Sequence, residues 1–295
     1  MAPGRRATAE EVTDGIDLTG KTVVITGVNS GLGQESMRVL ASRGARVIGL
    51  ARTQEKADSA CADVDGDCQG VACELSDLDS VRECARKITA MGMPIDVLMT
   101  NAGIMAPRQL ETVNGVEMQF ATNHLGHFLL VHHLLEQVCA AAGRIVILSS
   151  AAHTMPVSGG IDFDNLDGSG GYSPWRFYGQ SKLANLLHAR ELAGRVRDKG
   201  VTVNSLHPGV IKTNLGRDAG GFMMVAAGLL AMPFMKNVGQ GAATQCYLAA
   251  HPDLDGVSGQ YFADCKQTRT SAWGRDDDLA AQLWDRTERL LQNYL

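Results

Sequence analysis

Along the chain, short runs of β-branched and aliphatic residues alternate with longer stretches in which apolar residues recur every three or four positions. The first pattern predicts strands buried on both faces, and the second predicts amphipathic helices. Lys21-Thr22-Val23-Val24-Ile25-Thr26 is the first strand run, and a helical pattern follows it through Arg43. Further strands are predicted at residues 45–50, 67–73, 95–99, 144–148, 201–206 and 259–262. Helical patterns open near residue 74, run through about 113–138, start again at Tyr178, and close the chain over residues 277–291. The helix from Tyr178 carries Leu183, Leu186, Leu187, Leu192 and Val196 at helical spacing and ends near Gly200.

Seven strand runs alternate with helices, and no linker-like stretch divides them. That predicts a single doubly wound Rossmann-type α/β domain with a mainly parallel sheet of about seven strands, spanning residues 20–295. Residues 1–19 form a polar leader in which Thr8-Ala9-Glu10-Glu11 suits either a capping-box helix or a frayed arm.

Composition narrows the classes. The 45% apolar and 20% charged content is that of a water-soluble globular protein. A formal charge of −5 argues against nucleic acid as the partner. The first twenty residues lack the apolar run of a secretory signal, and the seven cysteines include no Cys-x-x-Cys pair. Reduced thiols and a cytoplasmic location are therefore expected. The most apolar stretch, residues 221–235, has about 15 residues and contains Pro233, too short to be a transmembrane segment. Within 214–238 it reads as a lid over an apolar substrate, an oligomer contact or a buried helix.

The candidate chemistry sits at strand ends. The first strand runs into Gly27-Val28-Asn29-Ser30-Gly31-Leu32-Gly33 and then a helix. Glycines there let backbone approach a pyrophosphate, and the helix start presents bare N–H groups to it. The spacing is Gly-x-x-x-Gly-x-Gly rather than the commoner Gly-x-Gly-x-x-Gly. After the second strand comes Ala51-Arg52 where NAD-preferring sites carry an acid, so Arg52 favours the 2′-phosphate of NADP(H). Asn29 and Ser30 are candidate polar contacts near that phosphate. Asn101-Ala102-Gly103 follows the fourth strand and Ser149-Ser150 the fifth, both at the sheet edge where ligands bind. Tyr178 and Lys182 stand one helical turn apart, a spacing at which an ammonium would lower a phenol's pKa. His124, His127, His132 and His133 share one helical pattern, the first two at i,i+3, but no acid or cysteine joins them in a zinc-type motif, so no metal is expected.

Taken in order, Thr26-Gly27-x-x-x-Gly31-x-Gly33, Asn101-Ala102-Gly103, Asn123, Ser149-Ser150, Tyr178-x-x-x-Lys182 and Pro208-Gly209 resemble the short-chain dehydrogenase/reductase family over roughly residues 20–265. The run from Asn123 to Leu130 and Ser181-Lys182-Leu183-Ala184-Asn185 resemble its retinol-dehydrogenase and WW-domain-oxidoreductase-like branch. The resemblance implies roles. Tyr178 would exchange a proton with the substrate oxygen, and Ser150, the second serine of the pair, would polarise that oxygen. Lys182 would lower the Tyr178 pKa and hold the nicotinamide ribose, and Asn123 would anchor a water linking Lys182 to solvent. Gly27, Asn29, Ser30, Gly31, Leu32, Gly33, Arg52, Asn101, Ala102 and Gly103 would line the cofactor with Tyr178 and Lys182. Glu74 and Leu75 would lie near the adenine, and Pro208, Gly209 and Thr213 near the nicotinamide. Two positions depart from the family pattern, Thr100 and Glu74, and the long interval between Ser150 and Tyr178 implies a reshaped substrate mouth.

The implied activity is hydride exchange between NADP(H) and an alcohol or carbonyl on a fairly bulky apolar substrate, Trp175 and Phe177 supporting the substrate class. The alternatives are a cofactor-binding sensor or scaffold without catalysis, and an NADPH-dependent C=C reductase on the same scaffold. A homo-oligomer is expected from the resemblance.

Overall fold

The computed structural model describes residues 4–155, 159–211 and 235–295. Thr213 and most of the apolar 214–238 stretch lie outside the described residues.

The predicted strands appear at β1 (Thr22–Thr26), β2 (Arg46–Ala51), β3 (Cys68–Ala72), β4 (Val97–Thr100), β7 (Arg144–Leu148), β8 (Thr202–His207) and β9 (Tyr261–Ala263). An eighth, β10 (Lys266–Gln267), pairs antiparallel with β9, and every other pairing in the sheet is parallel. Two exposed polar residues on an edge carry no hydrophobic pattern, which is why β10 was not predicted. The strand order is β10-β9-β8-β7-β4-β1-β2-β3, so the chain reverses direction between β1 and β4. The crevice at that switch point is where open α/β sheets bind ligands.

Helices cover both faces. On one, α2 (Gly31–Ser42) buries Met37 and Leu40 against β1 and β2, and α8 (Val238–Ala250) buries Cys246 and Leu248 on the side of β4, β7 and β8. On the other, α4 (Leu78–Ala90), α6 (Gly126–Ala140), α7 (Pro174–Arg195) and α9 (Asp277–Leu291) enclose Phe120, Phe128, Leu129 and Leu187. Trp284 of α9 packs edge-on to Phe128 at 4.7 Å between ring centres. In the leader, Thr8 and Glu11 close a capping box, and Ala9 and Val12 of α1 (Ala9–Val12) are buried on α2 and α8.

Three details differ from the hydrophobic pattern. The helix predicted over 113–138 is interrupted at its start: β5 (Thr112–Val113) and β6 (Val116–Glu117) form a hairpin. Its turn residues Asn114 and Gly115 have φ of 51° and 74°, the doubly positive geometry that Asn-Gly favours. A short α5 (Met118–Phe120) and a π-helical turn (Ala121–Leu125) then lead into α6. Helix α7 begins at Pro174, one turn before Tyr178, because proline is tolerated where the first N–H needs no partner. Cys61 and Cys68 are joined in a disulfide with their Cα atoms 5.3 Å apart, whereas reduced thiols were expected; the other five cysteines are free. Among the described residues no helix is long and apolar enough to cross a membrane.

Candidate active site

The glycine turn between β1 and α2 is built by close backbone approach. Gly27 has φ of 75°, and a Cβ there would sit 2.9 Å from that of Ala102. A Cβ on Gly33 would fall against the Gly27 carbonyl oxygen and Asn101 Nδ2. Gly31, with φ of 62°, starts α2 in a conformation that L side chains avoid. Ser30 is the N-cap of α2 but makes no side-chain capping bond, and both Asn29 and Ser30 are exposed. The first N–H groups of α2 are thus left without a side-chain cap, as an anion-binding helix start requires. Leu32 is half-buried, and Gln245 of α8 donates from Nε2 to its carbonyl oxygen at 3.2 Å and to Asn101 Oδ1 at 3.3 Å. Thr26 joins the cradle to the next loop: its hydroxyl oxygen accepts from the N–H groups of Asn101 and Ala102, each at 2.9 Å.

Around this floor the other predicted cofactor residues fall unequally. Arg52 is exposed just beyond β2. The Glu74 carboxylate is engaged locally, accepting from the Ser76 hydroxyl at 2.8 Å and from its N–H at 3.1 Å. Leu75 is buried, its carbonyl packed so closely on α6 that only a glycine, Gly126, fits opposite. Past β8, the Gly209 N–H donates to His207 Nδ1 at 3.0 Å, and Lys236 Nζ donates to the Pro208 carbonyl at 3.1 Å. Lys236 also pairs with Asp264 at 2.6 Å, which ties the Pro208-Gly209 turn to the β9–β10 turn.

The two adjacent serines divide their roles. Ser149 is buried and donates from Oγ to the Lys182 carbonyl at 2.7 Å, latching β7 to α7. Ser150 is half-buried; its Oγ accepts from Ala152 N–H at 3.2 Å, and its hydroxyl faces the Tyr178 phenol. A Cβ on Gly179 would come within 2.7 Å of the Ala152 carbonyl oxygen, so the absent side chain lets the turn after Ser150 lie directly on α7 beside Tyr178. His153 holds the same turn through Nδ1 to the Ser150 carbonyl at 2.6 Å.

Tyr178 is buried, with Trp175 edge-on at 6.0 Å between ring centres. Burial pushes its phenol above the ordinary value, partly offset by Ser150. The lowering expected from Lys182 does not appear: desolvation of the phenolate sets the direction, and the opposing influence is the Ser150 hydrogen bond. Lys182 Nζ lies 5.8 Å from the Tyr178 ring centre, and burial brings its own pKa down to about 8. Gly103 passes both Lys182 Nζ and Asn123 Oδ1, near enough that a Cβ would sit 3.3 Å and 3.0 Å from them. Asn123 lies in the π-turn with its side chain fully committed. Its Oδ1 accepts from Ile104 N–H at 2.8 Å, and its Nδ2 donates to the Ile104 carbonyl and to Ser181 Oγ, each at 3.0 Å.

Tyr178, Lys182, Ser150, Asn123 and Gly103 therefore converge at the switch-point edge, next to the glycine cradle. The pattern of the sequence did not single out Thr26 as a hub, nor Gln245, His153 or Lys236. Thr26, Gln245 and Lys236 have partners distant in the chain, and His153 adds to its neighbour Ser150 the distant Ser271, whose N–H donates to its Nε2 at 3.3 Å, so local spacing carries little signal for them.

This arrangement, a buried tyrosine–lysine pair beside a glycine-lined helix start, is that of a nicotinamide-dependent α/β oxidoreductase. The short chain dehydrogenase family model matches residues 21–163. The chain is 45% identical to short-chain dehydrogenase TIC 32 B, chloroplastic, of Brassica napus, covering 98% of this chain and 94% of that one. It is 40% identical to retinol dehydrogenase 12 of Mus musculus, covering 95% and 89%. Among solved structures, an uncharacterized protein from Mycobacterium Paratuberculosis superposes with a TM-score of 0.78 at 35% identity, covering 95% and 97%. The chain belongs to the short-chain dehydrogenase/reductase family, in its retinol-dehydrogenase-like branch.

Proposed function

We propose that this protein is an NADP(H)-dependent dehydrogenase/reductase acting on the alcohol or carbonyl group of a fairly bulky, apolar small molecule. The observation that carries this reading is the convergence of Tyr178, Ser150 and Lys182 beside a helix start that no side chain caps. NADP(H), when bound, supplies or takes up the hydride. Gly27, Gly31 and Gly33 would admit its pyrophosphate to the N-terminus of α2, Arg52 would meet the 2′-phosphate, and Lys182 would hold the ribose next to Gly103. Asn101, Ala102, Pro208 and Gly209 complete the lining, with Thr213 and the adenine neighbours Glu74 and Leu75 proposed on the same footing.

Tyr178 gives its hydroxyl proton to the substrate oxygen in reduction and takes it back in oxidation. With its phenol pushed up by burial, the resting Tyr178 holds the proton that reduction of a carbonyl consumes. Ser150, whose hydroxyl hydrogen-bonds the Tyr178 phenol in the free protein, would turn that bond to the substrate oxygen and steady the charge that develops there. Asn123 keeps the backbone at Ile104 in place beneath Lys182.

The apolar substrate class is supported by half-buried Trp175 beside Tyr178 and by the exposed side chains of Met155 and Val210, near Gly179 and Gly209. Retinol, named for the Mus musculus relative, is an apolar alcohol and fits that lining. A cytoplasmic homo-oligomer completes the proposal on the family resemblance, and light scattering reads the oligomeric part directly. The test of function is a panel of aliphatic, aromatic and polyene aldehydes and ketones with NADPH, and the matching alcohols with NADP+. Turnover of apolar members supports the proposal. Tight NADPH binding with no turnover in either direction would contradict it and favour a sensor, and reduction confined to C=C bonds would overturn the alcohol/carbonyl assignment.

A further inference from the structure

His127 lies in the first turn of α6, is buried, and faces no solvent path in the described structure. Its two ring nitrogens are both engaged: Nε2 lies 2.9 Å from Thr26 Oγ1, and Nδ1 lies 3.0 Å from the main-chain carbonyl of Asn123. Counting donors fixes the proton. The Thr26 hydroxyl oxygen already accepts from Asn101 and Ala102 N–H, so its one hydrogen points to His127 Nε2 as donor. Nε2 is therefore the bare nitrogen, and Nδ1 carries the hydrogen that is donated to Asn123. Burial supports the neutral ring, holding His127 down to about 4, with the Lys182 charge adding in the same direction.

The same bonds occupy the nitrogens that an i,i+3 metal pair of His124 and His127 would need. His124 Nε2 is 2.9 Å from the Thr287 hydroxyl on α9, and neither nitrogen of His127 is free.

The bonds link elements that must hold a fixed separation. Thr26 is the last residue of β1 and carries the Asn101-Ala102 loop that floors the cofactor cradle. Asn123 sits in the π-turn and donates to Ser181, whose hydroxyl donates to the Tyr178 carbonyl at 2.8 Å. A continuous chain of hydrogen bonds thus runs from the cradle through Thr26, His127, Asn123 and Ser181 to the backbone of the catalytic tyrosine. We infer that His127 is a positioning residue, a neutral Nδ1–H imidazole that sets the distance between the cofactor cradle and the Tyr178–Lys182 pair. This deepens the proposed function and rests on it only for what the two ends do.

The ring's two arms can be removed separately. His127→Asn places an amide donor near the Nδ1 position and gives up the Thr26 arm; His127→Gln reaches the Nε2 position and gives up the Asn123 arm; His127→Phe keeps the volume and loses both. With NADPH titrated by protein-fluorescence quenching, the Asn variant should bind about tenfold more weakly with kcat within about threefold of wild type. The Gln variant should reverse that split, with kcat about tenfold down and the NADPH Kd nearly unchanged, and the Phe variant should lose both. Losses that follow only the folded fraction measured by circular dichroism, with no split between Kd and kcat, would overturn the inference. A second measurement needs no ligand and so stays decisive if the cofactor reading fails. 15N-histidine NMR of the free protein should show His127 as the Nδ1–H tautomer, unchanged between pH 8 and about 5. An Nε2–H tautomer, or titration near the ordinary histidine value, would overturn it.

Discussion

Lys182 Nζ rests 3.3 Å from the Leu148 carbonyl oxygen, and no carboxylate pairs with it among the described residues. The ammonium is thus buried with a single weak acceptor, a costly arrangement for the free protein and one that suits the ribose-holding role proposed for it. Asn185 Nδ2 shares that carbonyl at 3.0 Å, so its oxygen is divided between two donors.

A stability prediction follows for Lys182. Its folded pKa of about 8 lies below the 10.5 of the unfolded chain. Between those values the unfolded state holds more protons, so stability rises with pH across the window, by up to about 3 kcal/mol. Below pH 8 the native state bears the full cost of the buried charge. Lys182→Met should therefore raise the melting temperature of the ligand-free protein at pH 7.5 while abolishing turnover. The variant should also show a shallower rise of stability from pH 8 to 10 than wild type. Parallel melting profiles for the two proteins would refute the buried, unpaired charge.

Gly33→Ala tests the cradle. The added methyl group would press on the Gly27 carbonyl and on Asn101 Nδ2, neither of which is the free end of a flexible side chain. A destabilisation of about 1–3 kcal/mol is expected from the overpacking. NADPH affinity should fall at least tenfold, because the glycine turn must shift. Wild-type affinity in this variant would show that the cradle does not hold the pyrophosphate.

Arg52→Ala bears on the choice between cofactors. Arg52 is exposed beyond the end of β2, with no acid beside it. Loss of one charge-assisted contact to a 2′-phosphate should weaken NADPH by about 1.5–3 kcal/mol and leave NADH nearly unchanged. Calorimetric titration of both cofactors against both proteins measures it, and a wild type that prefers NADH would reverse the assignment.

Much of the fold was legible because buried parallel strands and capped helices write themselves locally. Arg144–Leu148 and Asp277–Leu291 emerge with the bounds their apolar patterns predict. The failures occur where tertiary contacts override local pattern. Residues 121–125 fall inside the helical pattern of 113–138, yet they form a π-turn, with the His127 ring bonded to the Asn123 carbonyl. The hairpin at Asn114-Gly115 was signalled by its turn residues, but the apolar positions around it masked the signal. In the site, fixed spacing pointed to the residues that converge, Tyr178 and Lys182 among them. The direction of the Tyr178 shift was not readable, because it depends on how deeply the ring is buried and not on the lysine's place in the sequence. Thr26 and His127 stand 101 positions apart and escaped for the same reason: only the folded sheet brings them together.

The central claim is that Tyr178 moves the substrate proton at a site that binds NADP(H). Its most direct test is Tyr178→Phe, assayed for NADPH-dependent reduction of an apolar carbonyl and, separately, for NADPH affinity. The account predicts a loss of turnover of about 100-fold or more with the NADPH Kd within about threefold of wild type, since only the proton donor has been removed. Appreciable turnover in the phenylalanine variant would contradict it.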